Sequence, residues 1–148
     1  MEVKHVIKSF QELNSMELYQ ILKLRNQVFI VEQNCVYQDI DNKDLESYHL
    51  MCIVNGDIAG YTRLIPPGVS YDDASIGRII IGLSYRRLGL GRALVRKSID
   101  GCGKFFTKSP IRISAQSYLC EFYTSLGFKK EGDLYEEDGI LHIEMVCP

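Results

Sequence analysis

Apolar residues recur along this chain with two periods, and the changes between them mark out a series of strands and helices. Val3 to Ile7 predicts a short first strand. Asn14 followed by Glu17 is a capping-box signal for a helix running to about Ile30. Its apolar stripe is Leu18, Ile21, Leu22, Val28 and Phe29, and Arg25 falls on that same face. His49 to Val54 and Ile58 to Ile65 flank Asn55-Gly56-Asp57, and Asn-Gly between apolar runs signals a type I′ hairpin. Pro66-Pro67-Gly68 ends the second of these strands. Ser75 to Ile81 predicts another strand, followed by a Gly-rich turn and a helix to about Cys102. Ile111 to Ala115 is a short β-branched strand. Ser117 is placed to cap a short helix through Leu126, which Gly127 stops, with Phe128 positioned for the apolar contact that follows a C-cap. Asp138-Gly139 turns a last pair of strands, Lys129 to Leu134 and Ile140 to Val146.

The order is β–α–β–β–β–α–β–α–β–β. Consecutive hairpins imply a mostly antiparallel sheet, and the strand–helix–strand at 75–115 requires one parallel, right-handed crossover beside it. The expected fold is α+β, three layers in the order α/β/α around a mixed central sheet. No Pro/Gly/Ser-rich linker, repeat or low-complexity tract divides the 148 residues, so one domain over 1–148 is expected.

The turn Arg86-Arg87-Leu88-Gly89-Leu90-Gly91-Arg92 carries the clearest chemistry. Glycines let the backbone curl with its N–H groups facing one point, and the following helix adds the positive end of its dipole. Arginines 86, 87 and 92 add mobile charge. A dinucleotide fingerprint would need a third glycine at position 94, which is Leu, and a P-loop would need Gly-Lys-Ser/Thr where Arg92-Ala93 stands. What remains is Arg-x-x-Gly-x-Gly, a site for a phosphorylated ligand.

Charge sharpens that expectation. Net charge is −2, which gives nucleic acid no claim as a partner. Eight of the 17 basic residues nevertheless lie between Arg86 and Arg112 with one acid, Asp100. A basic segment around a Gly-rich turn suits a compact polyanion such as pyrophosphate. No apolar run is long enough to cross a membrane, the N-terminus lacks a signal-peptide layout, and the five cysteines (35, 52, 102, 120, 147) are odd in number and widely spaced. A cytoplasmic chain with reduced thiols is expected. Histidines 5, 49 and 142 make no metal-ligand cluster by spacing.

The element order, with Arg-x-x-Gly-x-Gly after the fourth strand, resembles the GNAT superfamily of acyl-CoA N-acyltransferases. A second signature, Ala115-Gln116 followed by Phe122-Tyr123-Thr124-Ser125-Leu126-Gly127-Phe128, is similar to the family's fourth-helix motif. The likeness extends to the ElaA-like branch through Arg25 with Val28 to Cys35, Tyr37 to Asp41, Ile76-Gly77-Arg78, and Tyr135 to Ile140 with His142-Ile143.

That resemblance implies acyl transfer, most simply of acetyl, from acyl-CoA to an amine, by direct transfer in a ternary complex and without a metal. It places the pyrophosphate on Arg86, Arg87, Leu88, Gly89, Leu90, Gly91 and Arg92. The pantetheine arm and acyl carbonyl fall on the backbone of Ile79, Ile80 and Ile81, and Gln116 presents a polar group to the cofactor. Tyr123 becomes the general acid for the leaving thiolate. The base stays open between Glu32, just past the first helix, and His142 on the last strand, with Glu136 and His49 as weaker candidates. Arg25, Arg78 and Glu144 are candidates for binding substrate. Arg63 reads as structural, with the acidic loop of Asp39, Asp41, Asp44 and Glu46 supplying partners or attracting a cationic amine. The favoured acceptor is a small-molecule amine. A protein or peptide amine and a non-catalytic acyl-CoA sensor are the competing readings, and a homodimer is compatible with the family.

Overall fold

A computed structural model describes all 148 residues, Met1–Pro148. Seven strands form one sheet: β1 (Val3–Ser9), β2 (Tyr48–Val54), β3 (Asp57–Ile65), β4 (Ala74–Ile81), β5 (Ile111–Gln116), β6 (Lys129–Glu137) and β7 (Ile140–Cys147). Their spatial order is β1-β2-β3-β4-β5-β7-β6. Every neighbouring pair is antiparallel except β4 with β5, which are joined by the crossover helix α2 (Leu90–Phe105). The remaining helices are α1 (Ser15–Arg25) and a one-turn α3 (Cys120–Thr124).

Alternation along β2 explains the layers. Leu50, Cys52 and Val54 join Leu90 and Leu94 of α2 in one apolar cluster. Met51, between them, faces the other way and joins Ile21 and Leu24 of α1 with Tyr61 and Ile80. A third cluster packs Val95 and Cys102 of α2 and Tyr123 of α3 on Ile111, Ile113, Ile143 and Met145. The sheet therefore has helices on both faces, as the order of elements implied. Close approach of α2 needs Gly101, where a Cβ would lie 2.8 Å from Leu64 Cδ1 and 3.0 Å from Ile7 Cδ1. Both expected hairpin turns form with left-handed residues, Asn55-Gly56 (φ 50°, 87°) and Asp138-Gly139 (φ 51°, 79°).

The first helix departs from expectation. The capping box at Asn14 and Glu17 is present, but the α-helix ends at Arg25 and a π-helical segment, Asn26–Glu32, takes over. The bonds Val28 C=O to Gln33 N–H and Ile30 C=O to Cys35 N–H span five residues. Three β-branched residues, Val28, Ile30 and Val31, are crowded in a tight α-helix, and the wider turn relieves that crowding; Arg25, at its start, is fully buried. Ser117 also misses its expected role. β5 runs on through Gln116, so Ser117 begins a 3-10 turn (Ser117–Leu119) and Leu119 is the N-cap of α3. β6 extends to Glu137, three residues beyond Leu134.

Arg25, Arg63 and Arg78 share one buried ion cluster with three carboxylates of the 37–47 segment. Arg25 reaches Asp39 at 2.9 Å and Asp44 at 2.8 Å; Arg63 reaches Asp41 at 2.8 Å and Asp44 at 2.9 Å. Arg78 reaches Asp39 at 2.7 Å and Asp41 at 3.4 Å. Burial by itself would raise the Asp41 and Asp44 carboxyls, yet hydrogen bonds and charge from Arg63 and Arg25 overcome it, holding Asp41 at about 2 and Asp44 below its usual range. Asp39, Asp41 and Asp44 are thus spent on arginines and are not available to attract an amine, while Glu46 stays exposed outside the cluster. Arg63 is structural, as expected.

Two outcomes follow from this cluster. Asp44→Ala leaves two buried guanidiniums short of a partner and should cost about 3–5 kcal/mol, read from chemical denaturation. Because the folded pKa of Asp41 lies below the unfolded value, its contribution is complete above about pH 4 and is lost as pH falls through about 2. Acid unfolding of Asp41→Asn should lack that component.

Candidate active site

The pairing of β4 with β5 lasts for two steps only, Ala74↔Ile111 and Ser75↔Arg112. Beyond it the strands diverge, and a cleft of about 650 Å³ opens between them. Just past this point β4 is distorted. Tyr61 pairs with Ile80 and Arg63 with Gly77, so β4 carries an extra residue there, and Arg78 sits at φ 50°. Such a bulge bends a strand and increases its twist.

Past β4 the chain makes a 3-10 turn at Leu83–Tyr85 and enters the Gly-rich segment. Arg87 (φ 65°) and Gly89 (φ 75°) are left-handed, and Gly89 is the N-cap of α2 with no side chain capping the helix. The first N–H groups of a 16-residue helix are therefore left to an external acceptor or solvent. Gly91 faces the cleft; a Cβ there would lie 4.0 Å from both Ile81 and Phe122.

Ten of the residues singled out from sequence line this one cleft: Glu32, Arg78, Ile79, Ile80, Ile81, Arg86, Gly91, Gln116, Tyr123 and His142. Arg87, Leu88, Gly89, Leu90 and Arg92 belong to the turn but not to the cleft wall. Leu90 is buried in the α2 cluster. Arg92 stacks over Phe122 at 5.7 Å and donates to Ser125 Oγ at 2.8 Å. Arg86 is not mobile charge: it donates to both oxygens of Glu32 (2.6 and 2.8 Å) and to the carbonyl of Ile81 (2.9 Å).

Several expected substrate or base residues are elsewhere. Arg25, fully buried in the ion cluster, is outside the cleft and cannot touch a ligand. Glu144 pairs with Arg112 at 3.0 Å rather than entering the cleft. His49 is buried between the Asp44 carbonyl (2.9 Å) and Tyr61 Oη (2.5 Å), and burial pushes its pKa down. Glu136 is exposed and points off β6 away from the lining.

Two groups stand out chemically. Tyr123 is 6 % exposed, and burial, helped by Tyr118, pushes its pKa well up, so the phenol keeps its proton at neutral pH. The His142 ring is nearly buried, with Nδ1 at 2.7 Å from the Ile140 carbonyl. A carbonyl only accepts, so Nδ1 carries the proton, and Nε2 is left facing Glu137 Oε2 at 3.4 Å.

The acetyltransferase (GNAT) domain family matches residues 12–148. The chain is a member of the GNAT acetyltransferases. An acyl-CoA N-acyltransferase from Pseudomonas aeruginosa superposes with a TM-score of 0.94 at 34% identity, covering 99% of this chain and 100% of that one. Escherichia coli ElaA gives 0.93 at 34% identity over 99% of this chain and 100% of its own. A UPF0039 protein of Schizosaccharomyces pombe is 40% identical over 97% of this chain and 95% of its own length. The protein is accordingly an ElaA-like N-acetyltransferase with the α+β fold of that superfamily, whose co-substrate is acyl-CoA.

The sequence reading did not single out Phe29, Cys35, Tyr37, Ser114, Glu137 and Asp138 as lining residues of this acetyltransferase's cleft. Carrying the alternation of β6 on from Tyr135 would have flagged Glu137. Nothing local signals that Cys35 Sγ meets the Asp138 carbonyl at 3.3 Å, 103 residues away.

Proposed function

We propose that this enzyme moves an acyl group, most simply acetyl, from acyl-CoA to the amine of a small molecule by direct transfer in a ternary complex. The observation that carries the reading is that one continuous cleft holds both the open edge of β4 and the group formed by Tyr123 and His142. The uncapped N-terminus of α2 and the curl at Gly89–Gly91 would hold the pyrophosphate. Ile79, Ile80 and Ile81 would offer backbone groups to the pantetheine arm, with Gln116 beside it. A backbone N–H aimed at the thioester oxygen would stabilise the oxyanion by about 3 kcal/mol.

His142 is the better base. Both oxygens of Glu32 are engaged by Arg86, whereas His142 Nε2 keeps a lone pair facing the cleft once its ring is neutral. The acceptor ammonium loses one proton to Nε2 and then attacks the acyl carbon. As the new C–N bond forms and the C–S bond breaks, the sulfur takes its proton from Tyr123, which recovers one from the amide nitrogen. The link between Cys35 and Asp138 narrows the acceptor end, favouring a small amine over a protein chain. Retention of Tyr123 argues against a purely sensory role.

Gly91→Val should raise the CoA dissociation constant more than about tenfold in calorimetry, because its branches enter the cleft. Arg87→Ala should change it less; equal titrations for wild type and the Gly91 variant would overturn the assignment. Tyr123→Phe should lower kcat about a hundredfold, the low end of general-acid effects, while acyl-CoA affinity holds. Near-normal kcat would reduce Tyr123 to packing.

A further inference from the structure

The acceptor half of the cleft is unevenly charged. Two arginines line it, and both are committed: Arg78 to Asp39 and Asp41, Arg86 to Glu32. The opposite wall is the tip of the β6–β7 hairpin, which contributes Glu137 and Asp138. Neither is ion-paired with a lysine or arginine; the single charged partner of Glu137 is His142. The tip is held in place, since Asp138 sits at the left-handed turn and its carbonyl accepts from Cys35. Beside it lies a nearly buried imidazole. The His142 side chain is only 8 % exposed, its Nδ1 is satisfied by Ile140, and its Nε2 borders the cleft with Glu137 Oε2, at 3.4 Å, as its one charged neighbour.

We infer that this end of the cleft selects amines that arrive as cations and carry no carboxylate beside the reacting nitrogen, with Glu137 as the residue that sets the preference. The inference rests on the acyl-transfer reading above and names the class of its acceptor. Glu137 Oε2, 3.4 Å from Nε2, holds the ammonium within reach of the imidazole. One proton passes from the ammonium to Nε2 and then to solvent past the half-exposed Glu137, leaving a neutral amine. An α-amino acid would bring its carboxylate against Glu137 and Asp138 where no uncommitted guanidinium can receive it, and like charges brought together in a cleft are costly. The same body with that carboxylate converted to an amide meets no such penalty.

The test compares leucinamide, hexylamine and leucine as acceptors with acetyl-CoA. Wild-type kcat/KM should favour leucinamide and hexylamine over leucine by about tenfold or more. Glu137→Gln should raise the KM for leucinamide about five- to tenfold while leaving that for leucine little changed, and Glu137→Lys should reverse the preference toward leucine. Leucine used as well as leucinamide by the wild type, or an unchanged preference in Glu137→Lys, would overturn the inference. Calorimetric titration of leucinamide and leucine into the CoA-saturated protein reads the same preference without turnover. Selective leucinamide binding with no transfer to any amine would sink the acyl-transfer reading while sparing the binding role of Glu137; transfer without selectivity would do the reverse.

Discussion

A parallel strand pair that stays together only at Ala74–Ile111 and Ser75–Arg112 leaves one edge of β4, from Ile76 to Ile81, without a ladder partner inside the molecule. Backbone groups shut away from water without partners cost about 1–3 kcal/mol each, so an opening of this kind persists only if other elements enforce it and something can enter it. The bulge at Arg78 turns β4 out of register with a simple ladder, and α2 crosses from its end to the start of β5. Isoleucine side chains 79, 80 and 81 pack into the clusters on the two faces while their backbone borders the cleft. An extended ligand rich in amide groups is the natural complement to such an edge, and the family's acyl-CoA is one.

The other wall of the opening depends on a different force. The 37–47 segment has little regular structure, and it is tied at once to α1 through Arg25, to β3 through Arg63 and to β4 through Arg78. Three carboxylates against three guanidiniums leave the cluster neutral. Its desolvation is severe, so its worth is positional more than energetic: removing any member strands a charge, which specifies how the segment is seated. Arg78 is the joint between the two halves of the site. Its left-handed backbone makes the bulge in β4, and its guanidinium anchors the loop that brings Tyr37 to the cleft. The Glu32–Arg86 pair, with each side chain about one-third exposed, adds little stability but bridges the π-helical segment to the Gly-rich turn.

Most of what near neighbours govern was readable in the chain, the Ser117 cap excepted. The capping box at Asn14 and Glu17, the two left-handed hairpin turns, the alternation that splits Leu50 from Met51, and the curl at Gly89–Gly91 depend on residues within a few positions of one another. They suffice for the order of elements along the chain, the mostly antiparallel sheet with its single crossover, and the Gly-rich curl, but not for the placement of β7 between β5 and β6. The π-helical segment did not stand out, because its i→i+5 bonds use the same apolar pattern as an α-helix, and the partners of Arg25 at its start, Asp39 and Asp44, come from a separate segment.

Charge pairing is where local reading and folded structure part. Arg25, Arg63 and Arg78 look alike in sequence, as do Glu32, Glu137 and Glu144. Folding alone makes Arg25 internal, commits Glu32 to Arg86 and Glu144 to Arg112, and leaves Glu137 unclaimed by any arginine beside His142. Coulomb and hydrogen-bond partners act through space over a few ångströms, and those few ångströms join residues as far apart in the chain as Cys35 and Asp138. Short-range propensity therefore wrote most of the elements and the Gly-rich curl, whereas which side chains meet in the cleft was decided only when distant segments closed around it.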